Sequence, residues 1–225
     1  MEPNTEVSRL REKQIHERVR LDALLDSTPL VTIAFIRDGH PVALPIGFAR
    51  IGDEVVIHGS TGSPWLRELA AGATASASVT ALDGIVVARS GFESSFRYRS
   101  AVVFGTFTAV AAEAKNRYLT TLMDHFIPGR SAELRGSSSK ELAATLVLSM
   151  PITGDNWSLK VSNGWPEDGP DDVAAGGWAG VVPVTMTYGE PLRAPDCDRV
   201  IPVPPSVRSM TGEVTNRPGG GVGGP

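Results

Sequence analysis

Cysteine is almost absent from the sequence, and histidine is rare and scattered. Cys197 is the single cysteine among 225 residues, so no disulfide can form within one chain, and we expect a free thiol of the kind usual in the cytosol. The four histidines and this cysteine show none of the close spacings that zinc ligands need. The sequence therefore predicts no metal-ion site.

The sequence also lacks long apolar runs and an excess of basic charge. No apolar stretch approaches the ~18 residues that a membrane-spanning helix needs, and the polar first residues, MEPNTEVSRLREKQ, do not resemble a signal peptide. With 21 basic and 25 acidic residues the net charge is −4, whereas nucleic-acid-binding proteins usually carry a basic excess. We expect a cytoplasmic protein that binds neither membranes nor nucleic acid.

Several common catalytic signatures are missing as well. The stretch GGGVGG at 219–224 matches the pattern G-x-G-x-x-G, but only because it is nearly all glycine. It follows no predicted strand and opens no helix, so it is not a dinucleotide-binding turn. Neither the G-x-S-x-G pattern of esterases nor the phosphate-binding G-x-x-x-x-G-K-[ST] loop occurs.

The sequence does contain many short β-rich segments. A charged helix is predicted over residues 6–25, and Pro29 ends it. Apolar segments separated by turns, one of them Asp38-Gly39, then predict a meander of three strands at 30–36, 42–49 and 54–60. Further strands are predicted at 75–90, 97–110, 156–164 and 178–188, and further helices at 64–71, at 112–126 and after a Ser138-x-x-Glu141 capping box.

Antiparallel strands joined largely by hairpins predict a mainly β fold with flanking helices, of the closed or partly closed barrel type. We expect residues 1–208 to form one domain that includes the N-terminal helix. Residues 209–225 are rich in glycine and proline and predict a disordered tail.

The strand at 42–49 has one large face and one very small face. Val42, Leu44, Ile46 and Phe48 alternate with Ala43, Pro45, Gly47 and Ala49. We expect the large side chains to face the hydrophobic core. The small face indicates either that a helix or other backbone packs closely there, or that a flat ligand lies across the strand.

The stretch HGSTGS at 58–63 comes between a strand and a helix. Its hydroxyl groups and glycines could hold a phosphate at the helix N-terminus. Ser63 followed by Pro64 is also an ordinary helix start. Because one cap residue would suffice, we expect this loop to bind a phosphate and to cap the helix as well, with Thr61 among the phosphate donors.

The order of these segments resembles the pyridoxamine 5′-phosphate oxidase-like family of flavin-binding split barrels, and most closely its actinobacterial branch near the nitroimidazole-reductase-type members. The similarity covers about residues 16–205. The matching pieces are DGHPVALPIGFARIGDEVVIHGSTGS, TALDGIVVARSGFESSFRYRSAVVFG, IPGR, KELAATLVLSMPI, SLKVSNGWPED and WAGVVPV.

The resemblance implies a six-stranded antiparallel split β-barrel, usually a homodimer, with FMN in a cleft at the dimer interface. It places the flavin phosphate and ribitol near the stretch that contains His58, Gly59, Ser60, Thr61 and Ser63. Pro45 would lie under the ring on the small face. The other implied contacts are Arg89, Ser90, Tyr98, Arg99 and Ser100. The resemblance also implies that Lys160 and Trp178 close the site against the flavin of the partner subunit.

Three positions depart from the family pattern. Glu93 and Ser94 replace two histidines in FESS, and Ser162 replaces an arginine in KVS. A neutral or basic pocket wall thus becomes acidic or smaller. The phosphate-binding residues are retained, which indicates that a cofactor still binds. The changed pocket residues argue against the usual substrate of the family.

By resemblance the protein is an FMN-dependent oxidoreductase that acts on a small organic substrate, with a specialised biosynthetic role as one expectation. His58 is the candidate proton donor beside the ring, because an imidazole titrates near neutral pH. The alternatives are a flavin carrier without catalysis, or a haem- or deazaflavin-using barrel. The net charge of −4 speaks against the basic groove that a deazaflavin tail would require.

Overall fold

The structure, a computed structural model, describes residues 4–213 of the chain. Near the start a 3-10 turn, Arg11–Lys13, leads into strand β1, Gln14–Ile15, and helix α1 covers only Arg18–Ser27. The predicted helix is therefore wrong for residues 6–17. The Gln14 side chain bonds to the backbone before it and β1 joins the sheet, so this segment satisfies its polar groups without a helix.

Strands and short helices alternate along the rest of the chain. The strands are β2 Leu30–Arg37, β3 His40–Arg50, β4 Glu54–Ser60, β5 Thr74–Val87, β6 Ser95–Thr106, β7 Thr108–Ala109, β8 Thr145–Pro151, β9 Trp157–Ser162, β10 Gly180–Pro183, β11 Thr187–Tyr188 and β12 Gly212–Glu213. The helices are α2 Pro64–Ala70, α3 Ala112–Phe126, α4 Ser139–Ala144, α5 Pro170–Ala175 and α6 Pro205–Arg208, and a second 3-10 turn covers Arg130–Glu133.

The predicted hairpin between β2 and β3 is confirmed. Asp38 and Gly39 have φ angles of 51° and 76°, and a tight hairpin turn needs this left-handed conformation at both central positions. The capping box of α4 is confirmed too: the Ser138 hydroxyl accepts from the Glu141 amide, and the Glu141 carboxylate accepts from the Ser138 amide.

Strands β1 to β10 form one antiparallel sheet in the order β1-β9-β6-β5-β2-β3-β4-β8-β7, with β10 paired to the end of β5. Strand β3 belongs to both halves of this sheet. Residues 40–47 pair with β2, whereas residues 48–50 pair with β4, so the sheet bends where β3 changes partner. This is the expected split barrel, with more strands than the six predicted because short strands are added at its edges.

Two apolar clusters fix the sheet and its helices. The inner cluster fills the barrel with the inward side chains of the strands and with leucines of α1 and α2. In the outer cluster Leu122 of α3 packs on Ala49, Val56 and Val147, which lie on the outer faces of β3, β4 and β8. Helix α3 therefore covers one half of the outer face.

The C-terminal part differs from the prediction. The strand expected at 178–188 is divided into β10 and β11, because Pro183 ends β10 and cannot donate to the ladder. The chain from 189 is largely irregular, as expected, but β12 lies in the predicted tail and pairs with β11. Residues 214–225, the rest of that tail, lie outside the described residues. No helix within residues 4–213 has the length and apolar character needed to cross a membrane.

Candidate functional site

His58 lies on the outer face of β4, beside the layer that α3 covers. Its neighbour Gly59 faces the interior, where a Cβ would stand 2.5 Å from Leu66 Cδ1, so a side chain at this position would collide with the core. The Nδ1 atom of His58 is buried and has no hydrogen-bond partner in the described part of the chain. Burial lowers the pKa of His58 below its usual value, and the ring is therefore neutral at pH 7.

His58 lines a groove of about 370 Å³. One side of the groove is α3, and the other is residues 130–137, which we call the wall segment. The α3 side contributes Leu119, Leu122, Met123 and Phe126 together with Asn116 and Thr120, and the wall segment contributes Ser131, Ala132, Leu134, Arg135, Gly136 and Ser137. The groove thus combines one neutral imidazole, apolar sides and a cationic side chain.

Side chains hold the wall segment to its neighbours. The Asp124 carboxylate of α3 accepts from the Ser131 amide at 2.8 Å and from its hydroxyl at 2.5 Å. Arg135 donates to both oxygens of Glu141 in α4 at 2.8 and 2.5 Å. These bonds to Arg135, followed by those to Ser138, hold the pKa of Glu141 well below its usual value, so this exposed carboxylate stays ionised at neutral pH.

The loop HGSTGS has a different arrangement from the one predicted. Ser63 occupies the N-cap position of α2 with Pro64 after it, but its side chain makes no capping hydrogen bond. The Thr61 amide and hydroxyl both donate to the Ala144 carbonyl, at 2.9 and 3.2 Å. The Ser60 hydroxyl accepts from the Gly62 amide at 3.1 Å, which leaves its proton available. The structure therefore favours Ser60 and Ser63, rather than Thr61, as donors to a ligand.

The small face of β3 is covered by α3 at one end and exposed at the other. A Cβ at Gly47 would stand 2.9 Å from the Phe126 ring of α3, so the close packing of a helix explains this glycine. Ala43 and Pro45 lie beyond α3 and are exposed. Pro45 stands in register with Thr32 of β2, on the half of the outer face that α3 leaves open.

Three further predicted residues lie on this open half. Ser100 pairs with Lys160 across β6 and β9, and Tyr98 pairs with Ser162 one step along. Because side chains alternate along a strand, Tyr98 and Ser100 share a face, whereas Arg99 points to the other side. The structure thus brings Pro45, Tyr98, Ser100 and Lys160 to one surface, separate from His58.

Arg99 is already held by a carboxylate. Its Nε and Nη2 atoms donate to the two oxygens of Asp83 at 2.9 and 2.8 Å. Asp83 lies where the pairing of β5 with β6 slips by one residue, between Leu82 and Gly84. A phosphate at Arg99 would have to displace this carboxylate.

Arg89 is also engaged within the chain. Its amide and its Nη1 donate to Asp168 at 2.7 and 2.9 Å, and its Nε donates to the Gly177 carbonyl at 3.1 Å. Ser90 accepts from the Glu93 amide at 3.2 Å. These bonds hold the turn after β5 against the loop that contains α5. Trp178 is 67% exposed, so it is not a core residue in this chain.

The departures from the family pattern have local roles. Ser94 closes the turn after β5, because its hydroxyl accepts from the Ala88 amide at 3.1 Å and donates to the Ser90 carbonyl at 2.9 Å. Ser162 is buried beside Tyr98. A histidine at 94 could not make the same pair of short bonds, whereas nothing in the structure explains Glu93.

Sequence reasoning missed the groove residues Met123, Leu134 and Arg135. The helix 112–126 was predicted from apolar residues spaced by four, and Met123 does not belong to that series, which is Ala114, Tyr118, Leu122 and Phe126. Apart from the end of IPGR the wall segment carries no motif. It reaches the groove because the chain turns after α3, at Gly129 with a φ of 78°. No group of three or more histidine, cysteine or acidic side chains that could hold a metal ion occurs in residues 4–213.

Comparison with known proteins extends over most of the chain. Residues 17–155 match the family model described as pyridoxamine 5′-phosphate oxidase. The FAD and heme binding protein from Mycobacterium smegmatis is 68% identical, with a TM-score of 0.88 and coverage of 90% of this chain and 98% of that one. The flavocytochrome Anf3 from Azotobacter vinelandii is 31% identical, with a TM-score of 0.85 and coverage of 92% and 97%.

A more distant structure shows the fold alone. A candidate 5-nitroimidazole antibiotic resistance protein from Bacteroides thetaiotaomicron is 17% identical, with a TM-score of 0.55 and coverage of 66% of this chain and 86% of that one. No curated protein matches the chain. The family model spans more than half of the chain, and the resemblance inferred from the sequence is confirmed: the chain belongs to the pyridoxamine 5′-phosphate oxidase family of split barrels.

Proposed function

We propose that the protein binds a flavin and a haem and exchanges electrons with a small-molecule substrate. The observation that carries this proposal is the 68% identity, over 90% of this chain, to a FAD and heme binding protein. The similarity to a flavocytochrome supports the same pair of cofactors. The proposal takes FAD as the flavin, where the sequence predicted FMN, and takes haem, first an alternative, as a second cofactor.

The groove at His58 fits a haem. A haem takes a side-chain ligand for its iron, most often an imidazole, with apolar walls for its ring and polar or cationic groups for its propionates. His58 supplies a neutral imidazole with a buried, unpartnered Nδ1. Leu119, Phe126 and Leu134 supply the apolar walls. Arg135 supplies a cation that would have to exchange its Glu141 carboxylate for a propionate. We therefore assign His58 as an iron ligand rather than the proton donor predicted from the sequence.

The loop after β4 and the open half of the outer face fit a flavin. Ser60 and Ser63 can donate to phosphate oxygens, since neither hydroxyl proton is needed to hold the loop. Pro45, Ser100 and Lys160 offer a flat surface of small side chains with one cation. The expected contacts of Arg89 and Arg99 with the flavin stay predictions, and each requires the exchange of a carboxylate partner.

Redox chemistry would come from the cofactors: a flavin exchanges one or two electrons, and a haem exchanges one. The chain's own residues would bind the cofactors and orient them. Burial around His58 keeps its imidazole neutral and so available to a metal. The absorption spectrum of the purified protein tests the proposal, since flavin bands together with a Soret band support it and a spectrum without either contradicts it. Rapid mixing with a reduced nicotinamide nucleotide then tests electron transfer.

The first prediction concerns the phosphate donors. Ser60→Ala removes a hydroxyl that can donate to a charged phosphate, and we expect FAD binding to weaken by roughly 1.5–3 kcal/mol, about 10- to 150-fold. Thr61→Val is the matched control, because the Thr61 amide still donates to Ala144 at 2.9 Å. Flavin titration of the apo-protein measures both. If Thr61→Val weakens flavin binding and Ser60→Ala does not, Thr61 rather than Ser60 contacts the phosphate.

We also propose that two copies pair through the open half of the outer face. One row of side chains crosses five strands in register: Pro45, Thr32, Ser78, Val102 and Ser158. All five are small and uncharged, so two copies of this row can meet across a two-fold axis without opposing like charges within the row. A dimer would also place Lys160 and Trp178 near the flavin of the other copy, as the family resemblance implies.

The second prediction is therefore a mass of twice the 23.8 kDa of one chain, measured by light scattering at micromolar concentration. Ser78→Arg puts a charge at the centre of the row and should shift the mass to that of one chain. Ala143→Arg adds the same charge on the exposed surface of α4 and should leave the dimer intact. A wild-type mass of one chain would contradict the proposal.

A further inference from the structure

Among its described residues the C-terminal segment has one buried residue, and it lies against the wall segment. The chain from 189 onward is mostly irregular and exposes Leu192, Val200 and Ile201 to solvent. Ser206 in α6 is the exception, since it is only 5% exposed. A buried polar side chain needs a partner, and this one has two bonds to a single carboxylate.

That carboxylate belongs to the wall segment. The Ser206 amide donates to Glu133 Oε1 at 3.0 Å, and its hydroxyl donates to Oε2 at 2.5 Å. Arg130 donates to Oε2 as well, at 2.9 Å. Glu133 and Ser206 are 73 positions apart in the chain, so this contact joins the C-terminal segment to the part of the chain that forms one side of the groove.

The wall segment depends on such bonds. It contains a 3-10 turn and no strand, so no sheet ladder fixes its backbone. Its remaining side-chain bonds run to Asp124 at one end and to Glu141 at the other. The pair of bonds from Ser206 falls between these two, at the position from which Ala132 and Leu134 line the groove.

We propose that Ser206 and Glu133 act as positioning residues that hold the wall segment against a flat ligand in the groove and so slow its escape. This inference rests on the proposed haem site. In the closed arrangement Leu134 stays on the side opposite α3. When the Ser206–Glu133 bonds break, the wall segment keeps its side-chain bonds to Asp124 and to Glu141, and the groove can open between these two points.

The test compares four full-length proteins: wild type, Ser206→Ala, Ser206→Thr and Ser209→Ala. Haem transfer to an excess of a haem-scavenging apoprotein is followed by the Soret band. We expect Ser206→Ala to release haem at least about tenfold faster, since it loses a hydrogen bond to a charged group. Ser206→Thr keeps the hydroxyl and should release haem at nearly the wild-type rate. Ser209→Ala is the control, because its hydroxyl bonds within the same turn, to the Ser206 carbonyl.

A second measurement needs no haem. Amide hydrogen exchange of residues 130–137 in the apo-protein should be faster in Ser206→Ala than in wild type and Ser206→Thr. Faster exchange and faster release together support the inference. Unchanged exchange overturns it, as does faster exchange with an unchanged release rate. Failure of the wild type to take up haem would defeat the proposed function, and the exchange measurement would then still decide whether α6 holds the wall segment.

Discussion

Replacing His58 with alanine is expected to remove the Soret band of the purified protein while leaving its flavin bands in place. The reason is that His58 is the imidazole that lines the groove, and its buried Nδ1 has no other partner among the described residues. Burial already keeps this ring neutral, the form in which it binds iron. If His58 holds the iron as proposed, its replacement removes the side chain that would bind the metal. The measurement is the ratio of Soret to flavin absorbance after purification.

His40→Ala is the matched control for this experiment. His40 lies at the turn between β2 and β3 and is exposed, so its loss should change neither cofactor. Equal melting temperatures of the two apo-proteins would show that His58→Ala still folds. An unchanged Soret band in His58→Ala would place the haem elsewhere in the protein and would overturn the assignment.

Leu122→Ala is expected to lower the free energy of unfolding by about 2–5 kcal/mol, the usual cost of removing a buried leucine side chain. Leu122 is 1% exposed and joins α3 to Ala49, Val56 and Val147. Urea unfolding followed by circular dichroism measures the change. Since Leu122 also lines the groove, the same variant should bind haem more weakly, because α3 then packs less tightly beside His58.

Val19→Ala is the control for this variant, because Val19 is 72% exposed on α1 and should change the stability by no more than about 0.5 kcal/mol. If Leu122→Ala lowers the free energy of unfolding by less than about 1 kcal/mol, α3 is held mainly by other contacts. The bond from the Tyr118 hydroxyl to Glu54, 2.6 Å long, would then be the first to examine.

The strands were largely predictable, because the residues that define each strand are neighbours in the sequence. Alternation of large and small residues, together with Asp38-Gly39, is enough to define β2 and β3. The helix predicted over 6–25 was wrong for residues 6–17, because charged residues alone do not set a helix boundary. Only the part with Leu21, Leu24 and Leu25 has apolar side chains at helical spacing, and these are the ones that reach the core.

The site was less predictable, because its residues take partners far away in the chain. The pairing of Arg89 with Asp168 spans 79 positions, and that of Thr61 with Ala144 spans 83. No local pattern shows that a carbonyl or a carboxylate will occupy these donors. His58 was identified from the family resemblance, whereas its role changed once the groove beside it could be described.

The pairing of β4 has a consequence for synthesis of the chain. Strand β4 takes β3 on one side and β8 on the other, and β8 begins 85 residues after β4 ends. At ~5–20 residues per second a ribosome needs about 4–17 s to reach it. During that interval the edge of Val55, Val56 and Ile57, all fully buried in the finished protein, is open to pairing with other chains. The strand that carries His58 is thus open to aggregation while the rest of the chain is being made.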